Sequence, residues 1–328
     1  MTVAFHSHTM TYRGSENALW DYANFNESVL GNRSVICCHA GRIHRENPVY
    51  QKWSQKFPVI GYRSYHELSG SLRRKGAKVL YQIKAGPFDG MLVPGIRNCI
   101  HAMFLSDEFH GDCFAYVSPW ASRVMTGTLR SFVPHWVPRL TSTRNLRAEL
   151  GIPGEAIVFG RHGGWDTFNI PFVRQEIRSH ARHHPQDHFV FLNTEPISGT
   201  EKLGNVHYLP ATVLPEEKAS FLATCDAMLH ARWHGETFGM AVGEFAILGK
   251  PVITYRNSRE RAHLEMLGSE ARVYHDRDSL RKILSKFKKQ TAGHTEYHEY
   301  GDPHTVMKMF QHKFLDGGEK KVGTPRHV

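Results

Sequence analysis

The sequence predicts an α/β protein with two consecutive domains, each built from strands and helices that alternate around a parallel sheet. Three observations support this prediction. Short apolar runs alternate with helix-like segments as far as Ser118, and a second alternation starts at Ala156. Between them, Pro134, Pro138 and a Thr-Ser-Thr run interrupt the periodicity, which marks a linker over 132–143. A chain of 328 residues is also long enough for about two domains.

The first half begins as a strand–helix–strand unit. Its predicted elements are a strand at 3–7, a glycine-bearing turn at 12–16, a helix at 18–25 and a strand at 34–38. The alternation continues through 59–60, 67–75, 79–83, 99–104 and 114–118.

The second half repeats the alternation. Strands are predicted at 157–160, 189–192, 206–209, 227–230, 251–255 and 272–274, and helices at 171–183, 215–225, 238–248, 279–288 and 305–315. We therefore expect a first domain at 1–140, a second at 141–300, a C-terminal helix at 301–316 that could return to the first domain, and a flexible tail at 317–328.

Composition agrees with a folded, soluble protein. With 41% apolar residues the chain can build substantial cores, which argues against global disorder. No apolar run approaches the ~20 residues that span a bilayer, and the start of the chain lacks a signal-peptide pattern, so we expect a cytoplasmic protein. The net charge of +10 suits a nucleic acid, an anionic membrane surface or an anionic substrate, and charge alone does not choose among them. The five cysteines show no paired ligand spacing, which predicts reduced, buried thiols.

The chain contains 23 histidines, which raises the question of a metal site. Two groups are closely spaced, His6 with His8 and His180 with His183 and His184. The second group shows no companion acidic ligand set, and neither group has a spacing typical of zinc ligands. Solvated or capping histidines are the simpler interpretation, so we expect no metal site.

The most specific pattern of the chain is the run CDAMLHARWHGETFGMAVGEFAILGKPVITY. It predicts a buried strand, a polar loop, an apolar helix and a further strand. In a parallel sheet such a loop leaves the carboxyl end of a strand, where ligands bind. Gly239 has no Cβ to obstruct an anion, and the backbone N–H groups of Phe238, Gly239 and Met240 would meet it at the helix start. Two glutamates, Glu236 and Glu244, bracket this turn.

This run resembles the donor-site motif of retaining glycosyltransferases of family 4, in which two glutamates are separated by seven residues. Glu236 and Glu244 have that spacing, and the Gly-Glu-Thr-Phe-Gly-Met and Gly-Lys-Pro-Val-Ile runs match as well. The resemblance covers 156–285 well, and the first half only by its order of elements and its Arg-Gly-Ser-Glu turn. It implies the GT-B fold, in which two Rossmann-like domains face each other across a cleft.

The resemblance implies roles for individual residues. Glu236 would contact hydroxyls of the donor sugar and Glu244 the nucleotide ribose, which suits carboxylates as hydrogen-bond acceptors. The alternative is that both glutamates merely decorate a helix, but Glu244 lies in an apolar helix where an ionised group needs partners. Arg161, in a Phe-Gly-Arg run, would face the donor diphosphate. The lysine that follows this arginine in the family is absent, so Arg232 or the backbone N–H groups of Gly163 and Gly164 would replace it.

Further positions follow from the same resemblance. His101 is placed where many relatives carry a histidine facing the transferred sugar, and it completes a predicted catalytic set with Glu236 and Arg161. A satisfied core histidine is the alternative. The turn at Gly14 would approach the diphosphate from the first domain. The remaining predicted donor-binding residues are Thr237, Phe238, Gly239 and Met240 at the helix start, and Tyr208, Leu209 and Pro210 near the base.

The expected activity is transfer of a sugar, with retention of anomeric configuration, from a UDP- or GDP-linked donor to a carbohydrate, glycolipid or other hydroxyl acceptor. We expect no cofactor and no metal, because no acidic pair of the kind used by metal-dependent transferases is evident. An epimerase or phosphorylase of similar architecture is the alternative. A non-enzymatic nucleic-acid-binding protein is a weaker one, because no recognised binding motif is present. The basic helix at 279–289 leaves open a peripheral membrane contact, although such a run is more often a solvated face.

Overall fold

The computed structural model describes residues 1–11 and 14–317. They form two compact units. Domain 1 comprises Met1–Trp136 and the described residues from Asp302 onward, and domain 2 is Val137–Gly301. The sequence analysis placed these boundaries at 140 and 300. The predicted flexible tail lies, apart from its first residue, outside the described part of the chain.

Domain 1 is a parallel six-stranded sheet flanked by helices. Strands β1–β6 are Thr2–His6, Arg33–His39, Val59–Tyr62, Ala77–Lys84, Arg97–Ala102 and Cys113–Tyr116, and helices α1–α4 are Gly14–Ser28, Pro48–Lys56, Tyr65–Arg74 and Pro119–Thr126. The strand order is β3-β2-β1-β4-β5-β6. The C-terminal helix Pro303–Phe310, extended by a π-helical turn at Gln311–Leu315, packs on this domain.

Domain 2 repeats the plan. Strands β7–β14 are Val158–His162, His188–Leu192, Val206–Leu209, Ala227–Leu229, Gly235–Glu236, Val252–Tyr255, Glu260–Arg261 and Ala271–Tyr274, and helices α5–α9 are Pro171–His183, Pro215–Thr224, Met240–Ala246, Ala262–Leu267 and Arg277–Ser285. The main sheet has the order β14-β12-β10-β7-β8-β9, and β11 pairs with β13 as a separate two-stranded ribbon.

Both main sheets have the strand order of a doubly wound Rossmann sheet, which confirms the predicted fold class of two Rossmann-like α/β domains. In each sheet the first strand of the domain lies at the centre, and the chain winds outward from it in both directions. The chain connections that leave adjacent strands therefore run in opposite directions between β1 and β4 in domain 1 and between β7 and β10 in domain 2. Ligands of open α/β sheets bind at the carboxyl ends of such strand pairs.

Aromatic side chains fill much of the core of domain 1. Tyr22 of α1 stacks on Phe310 of the C-terminal helix with ring centroids 5.1 Å apart, and Tyr81 of β4 meets the same ring at 4.9 Å. Tyr22, Tyr81 and Phe310 are each at most 2% exposed. Burial of large aromatic rings contributes strongly to stability, so the C-terminal helix is an integral part of this domain.

Three helices were not predicted, namely α2, α4 and α8. Each is short, and α2 and α4 begin with a proline at the first turn after a capping side chain, Asn47 and Ser118 respectively. Helix α7 is also shorter than the predicted helix 238–248, because Gly239 adopts φ +87° and acts as its N-cap. A residue in the left-handed region cannot continue a right-handed helix.

Helix α9 contains the first part, 279–285, of the basic run 279–289 that left a membrane contact open. Arg277 and Arg281 both donate hydrogen bonds to the carboxylate of Glu176, whose side chain is 2% exposed. These two cations therefore neutralise a buried charge of their own domain. No helix in the described ranges is long and apolar enough to cross a membrane.

The cysteines agree with the predicted thiol chemistry. All five are buried and none forms a disulfide: Cys37, Cys38, Cys99, Cys113 and Cys225. Burial raises the pKa of the Cys225 thiol to about 12, so this side chain is an inert apolar group at neutral pH.

Candidate functional site

The candidate site lies at the carboxyl ends of β7 and β10 in domain 2. These strands are neighbours, with Phe159 opposite Ala227 in the parallel register. Strand β7 ends with Arg161 and His162, and β10 is followed directly by His230. The topology therefore brings two segments that are distant in sequence to the place where open α/β sheets bind ligands.

Glu236 is held by two basic side chains of its own loop. Its Oε2 lies 2.7 Å from Nη1 of Arg232, and its Oε1 lies 3.2 Å from Nε2 of His230. The His230 ring is oriented in turn by Thr254, whose Oγ1 lies 2.9 Å from Nδ1. Burial alone would raise the pKa of Glu236, but Arg232 and His230 outweigh it and lower the pKa to about 2. Glu236 is therefore a fixed, ionised acceptor at neutral pH.

Glu244 is the second carboxylate, and its side chain is only 2% exposed. Nζ of Lys218 in α6 lies 2.5 Å from Oε1, and Nε2 of His162 lies 2.9 Å from Oε2. Burial opposes ionisation of Glu244, but these neighbours lower its pKa to about 2. Burial also lowers the pKa of His162 despite the nearby carboxylate. Lys218 is therefore the charged partner, and His162 acts as a neutral imidazole.

A third carboxyl group, Glu260, stands beside the first. Strand pairing places Gly235 opposite Glu260 and Glu236 opposite Arg261. Burial, together with the negative charge of Glu236, raises the pKa of Glu260 to about 7 against the opposing effect of Arg232. Its Oε2 is buried and has no hydrogen-bond partner among the described residues. Near neutral pH this group exists in both protonation states, so it can donate or accept a hydrogen bond.

Two glycines shape the loop that carries Glu236. Gly235 has φ +75°, and a Cβ at this position would lie 1.9 Å from the backbone oxygen of Glu260. Gly239 has φ +87°, and a Cβ there would lie 3.0 Å from the hydroxyl of Tyr297. Only glycine adopts such a backbone conformation in so little space without strain. The two glycines thus allow the tight turn between β10 and α7.

Arg161 is buried, at 4% exposure, and its guanidinium is occupied by protein oxygens. Nη1 donates to the backbone oxygen of Asn193 and to Oγ1 of Thr194, and Nη2 donates to the backbone oxygen of Gly164 and to Oγ1 of Thr167. A guanidinium has five N–H donors, so these bonds leave only the Nε–H. The predicted contact with a diphosphate would use that group or require the network to rearrange, and it stays a prediction.

The loop after β7 is fixed from the neighbouring strand. Asn193, which follows β8 and has φ +50°, donates a hydrogen bond of 2.8 Å from Nδ2 to the backbone oxygen of Gly163. Gly163 itself has φ +152°. Arg161 and Asn193 together set the path of this loop, so Arg161 is a positioning residue for it.

The three residues predicted near a nucleobase lie at the end of β9. The hydroxyl of Tyr208 accepts a hydrogen bond of 2.9 Å from the Ile197 backbone N–H. The backbone oxygen of Leu209 accepts one of 3.0 Å from the Asn193 N–H, and Pro210 is exposed. Strand β9 is at the edge of the sheet, two strands from β7. Their contact with a base stays a prediction.

The start of α7 contains the other predicted donor-binding residues. Thr237 and Phe238 are buried, and Met240 is partly exposed. The hydroxyl of Tyr297 donates a hydrogen bond to the backbone oxygen of Phe238, and among the described residues no side chain caps the helix at Gly239. These contacts place the residues around the same turn as Glu236.

Two predicted residues belong to domain 1. His101 in β5 is fully buried, and its ring nitrogens lie 2.6 Å from the Tyr81 hydroxyl and 2.9 Å from the Val133 backbone oxygen. Burial lowers its pKa to about 4. These contacts favour the alternative of a satisfied core histidine. Gly14 is exposed at the first position of α1, and the preceding Arg13 lies outside the described residues.

The sequence analysis did not assign a role to Lys218, His162, His230 or Glu260. His230 could have been suspected because it ends a predicted strand, and His162 because it follows the predicted strand 157–160 by two residues. Lys218 and Glu260 gave no local signal, since the Lys218 contact with Glu244 spans 26 residues.

Comparisons with known proteins reveal a shared fold and no close sequence relative. No family model matches the chain, and no curated protein matches it in sequence. Among solved structures, HepE of Anabaena in complex with UDP-glucose matches with a TM-score of 0.64 and 11% identity, over 96% of this chain and 95% of that one. WaaG, a glycosyltransferase involved in lipopolysaccharide biosynthesis, matches with a TM-score of 0.65 and 14% identity, over 96% and 100%.

A third match is a protein of Listeria monocytogenes provisionally assigned as a UDP-N-acetylglucosamine 2-epimerase. It gives a TM-score of 0.61 and 12% identity over 98% of both chains. At such identities the likeness concerns the fold alone. Together with the strand order of both sheets, it shows that the chain has the two-Rossmann-domain architecture of GT-B proteins.

Proposed function

We propose that this protein is a retaining glycosyltransferase of the family 4 type, which transfers a sugar from a nucleotide-diphosphate sugar to a hydroxyl group of a glycan or glycolipid. The observation that carries the proposal is the pair of ionised carboxylates, Glu236 and Glu244, at the carboxyl edge of the domain 2 sheet. The GT-B architecture, shared with HepE and WaaG, supports it.

The chemistry of the pair suits a ligand rich in hydroxyl groups. An ionised carboxylate only accepts hydrogen bonds, and the hydroxyls of a hexose or a ribose donate them. Charge-assisted hydrogen bonds of this kind are roughly twice as strong as neutral ones. We assign Glu236 to the transferred sugar and Glu244 to the ribose.

The charge balance of the site suits an anionic ligand. Three cations, Arg161, Arg232 and Lys218, lie around the carboxylates of Glu236 and Glu244, and the third carboxyl group, Glu260, is only partly ionised near neutral pH. A diphosphate therefore enters without net repulsion, and positive groups are in place for the charge that develops on the leaving diphosphate. We propose same-face attack by the acceptor hydroxyl, with the leaving phosphate assisting its deprotonation and without a divalent metal.

The first experiment is a thermal-shift panel of UDP, GDP, ADP, TDP and their sugar conjugates, with and without magnesium. A ligand that binds only the native state raises the apparent stability of the protein. HepE was solved with UDP-glucose, so uridine nucleotides are tested first. We expect one nucleotide to raise the Tm equally with magnesium and with EDTA. No shift with any nucleotide would contradict the proposal.

The second experiment measures sugar transfer by Glu236→Ala, with Glu217→Gln as the matched control. Glu217 is an exposed glutamate of the same domain that forms no part of the site. We expect turnover by Glu236→Ala to fall by roughly 100-fold or more, which is the loss typical of removing one electrostatic contact to the transition state. The variant should still bind the nucleotide. Normal turnover by Glu236→Ala would refute the assignment.

The 2-epimerase assignment of the Listeria monocytogenes neighbour favours one alternative, a nucleotide-sugar epimerase. Incubation of the protein with its nucleotide sugar in the absence of any acceptor separates the two activities. An epimerase produces a second nucleotide sugar under these conditions, whereas the proposed transferase leaves the donor intact or hydrolyses it slowly.

A further inference from the structure

A second cluster of ligand-type side chains lies in domain 2, at the other edge of the sheet from Glu236 and Glu244. His180 and His184 are one helical turn apart at the end of α5, and Asp187 immediately precedes β8. The cluster therefore lies at the amino ends of the strands. Ligand atoms of the three residues all lie within 4.8 Å of one another. The sequence analysis expected no metal site here because it found no acidic ligand beside these histidines, whereas the structure brings Asp187 to them and leaves His183 outside the group. We propose that His180, His184 and Asp187 form a zinc-binding site, independent of the proposed transferase activity.

The donor set fits zinc better than magnesium or calcium. Imidazole nitrogens and a carboxylate oxygen are the ligands of many zinc sites, whereas magnesium and calcium prefer oxygen ligands. The His180 side chain is 1% exposed and that of Asp187 is 9% exposed. An ion held by them would be shielded from water on one side.

The backbone around the cluster is already fixed. Nδ2 of Asn205 donates hydrogen bonds of 3.0 and 2.8 Å to the backbone oxygens of Ala181 and Asp187. The His184 N–H donates to the His180 backbone oxygen at 2.8 Å, and the Asp187 N–H donates to that of His184 at 3.0 Å. The side-chain amide of Asn205 thus connects the end of α5 to the start of β8. This connection lowers the entropy cost of bringing the ligands together.

Only side-chain movements are needed to admit the ion. Nε2 of His180 lies 2.8 Å from Oδ2 of Asp187, whereas ligand atoms of a tetrahedral zinc site are roughly 3.3 Å apart. That hydrogen bond opens by about half an ångström, and the proton shared by Nε2 and Oδ2 moves to Nδ1 of the His180 ring or to solvent, so that a neutral imidazole and a carboxylate face the ion. His184 stacks on His180 at a centroid distance of 4.3 Å and is only partly buried, so its ring is free to rotate towards the ion.

The cluster borders a cavity that leaves room for a fourth ligand. The cavity has a volume of about 270 Å³. His184 and Asp187 line it, together with Glu155 and Gln186. A water molecule in this cavity would complete a tetrahedral site. Because zinc would link the end of α5 to the start of β8, far from Glu236, its expected effect is to stabilise domain 2.

The test measures zinc binding to tag-free, full-length protein by calorimetric titration and by thermal unfolding. We expect one Zn²⁺ per chain, with a rise in Tm of roughly 5 °C or more at a hundredfold excess over Kd. Magnesium is expected to cause no shift. Substituted Co²⁺ should show the strong visible absorption of a tetrahedral site.

The variants are His184→Ala and Asp187→Asn, because His180 is a core residue whose replacement risks unfolding the domain. Both are expected to lower zinc affinity at least tenfold and to abolish the Tm rise. The matched control is His183→Ala, since His183 is an exposed neighbour on α5 outside the cluster. Absence of stoichiometric zinc binding, or binding that both variants retain, would overturn the proposal.

Discussion

Replacement of Lys218 by methionine tests whether Glu244 depends on a charged partner. Methionine keeps much of the aliphatic length of lysine and removes the charge. Lys218 Nζ lies 2.5 Å from a carboxylate that is 2% exposed. Removing one partner of a buried pair leaves an uncompensated charge, which typically costs about 3–5 kcal/mol.

The pKa of Glu244 and the exposure of Lys218 narrow the expected loss of stability. The pKa of Glu244 lies at about 2, against 4.5 for an unperturbed glutamate. That difference corresponds to about 3.4 kcal/mol of net stabilisation of the ionised form, which remains after burial has opposed the ionisation. His162 supplies part of it, and the Lys218 side chain is 24% exposed, so water screens the pair to some degree. We expect Lys218→Met to lower the free energy of unfolding by roughly 2–3 kcal/mol and the Tm by roughly 5–10 °C.

The pH dependence gives the prediction its sign. Because folding lowers the pKa of Glu244, its ionised form stabilises the protein above pH 4.5, and this stabilisation is lost as the pH falls towards 2. The Tm difference between wild type and Lys218→Met should therefore be largest near neutral pH and shrink below pH 4.5. Calorimetric scans across that range measure it, with the exposed Lys202→Met as control.

A double variant separates the loss of the pair from the loss of packing. Glu244→Gln in the Lys218→Met background removes the unpaired charge and should restore part of the lost stability. The reasoning is refuted if Lys218→Met unfolds within 1 °C of wild type at neutral pH, or if its deficit is the same at every pH.

Two further predictions concern glycines that the packing requires. Gly235→Ala places a Cβ 1.9 Å from the Glu260 backbone oxygen at φ +75°, so nucleotide binding should be lost in calorimetric titration while the far-ultraviolet circular dichroism stays native. Gly160→Ala places a Cβ 2.2 Å from Sγ of Cys225, and should lower the free energy of unfolding by about 1–3 kcal/mol. Gly154→Ala is the control in denaturant titrations, because nothing lies within 4 Å of its Cβ, and it should change stability by less than about 0.5 kcal/mol.

Elements with a strong local pattern were predicted at their observed residues. Helix α5 begins at Pro171, where proline suits the first turn, and strand β9 is a short apolar run; both were predicted with the bounds that the structure has. The turn around Gly239 was predicted because its motif is contiguous. In each case the residues that predict the element lie within or next to the element itself.

Contacts that depend on the tertiary fold were not predicted from the sequence. The ion pair of Lys218 with Glu244 joins two helices, and the approach of Glu260 to Glu236 depends on a two-stranded ribbon that no periodicity marks. The network around Arg161 was missed for the same reason, since its acceptors lie on two loops. Local patterns indicate which residues are charged, but only the fold determines which partners neutralise them.

The unused hydrogen-bonding capacity of the site bears on how the proposed donor would be bound. A carboxylate offers about four acceptor positions. Glu236 has contacts with Arg232 and His230, so about two positions stay available for sugar hydroxyls without breaking either contact.

Arg161 has the opposite property, since four of its five N–H groups are bonded to protein oxygens. The Glu236 carboxylate thus has more free hydrogen-bonding positions for hydroxyls than the Arg161 guanidinium has for phosphate. If the protein binds a nucleotide diphosphate as proposed, backbone N–H groups of the glycine-bearing loops after β7 and β10 are expected to supply contacts that Arg161 does not. It follows that substitutions that distort these loops, such as Gly235→Ala, should weaken nucleotide binding more than the removal of any single cation.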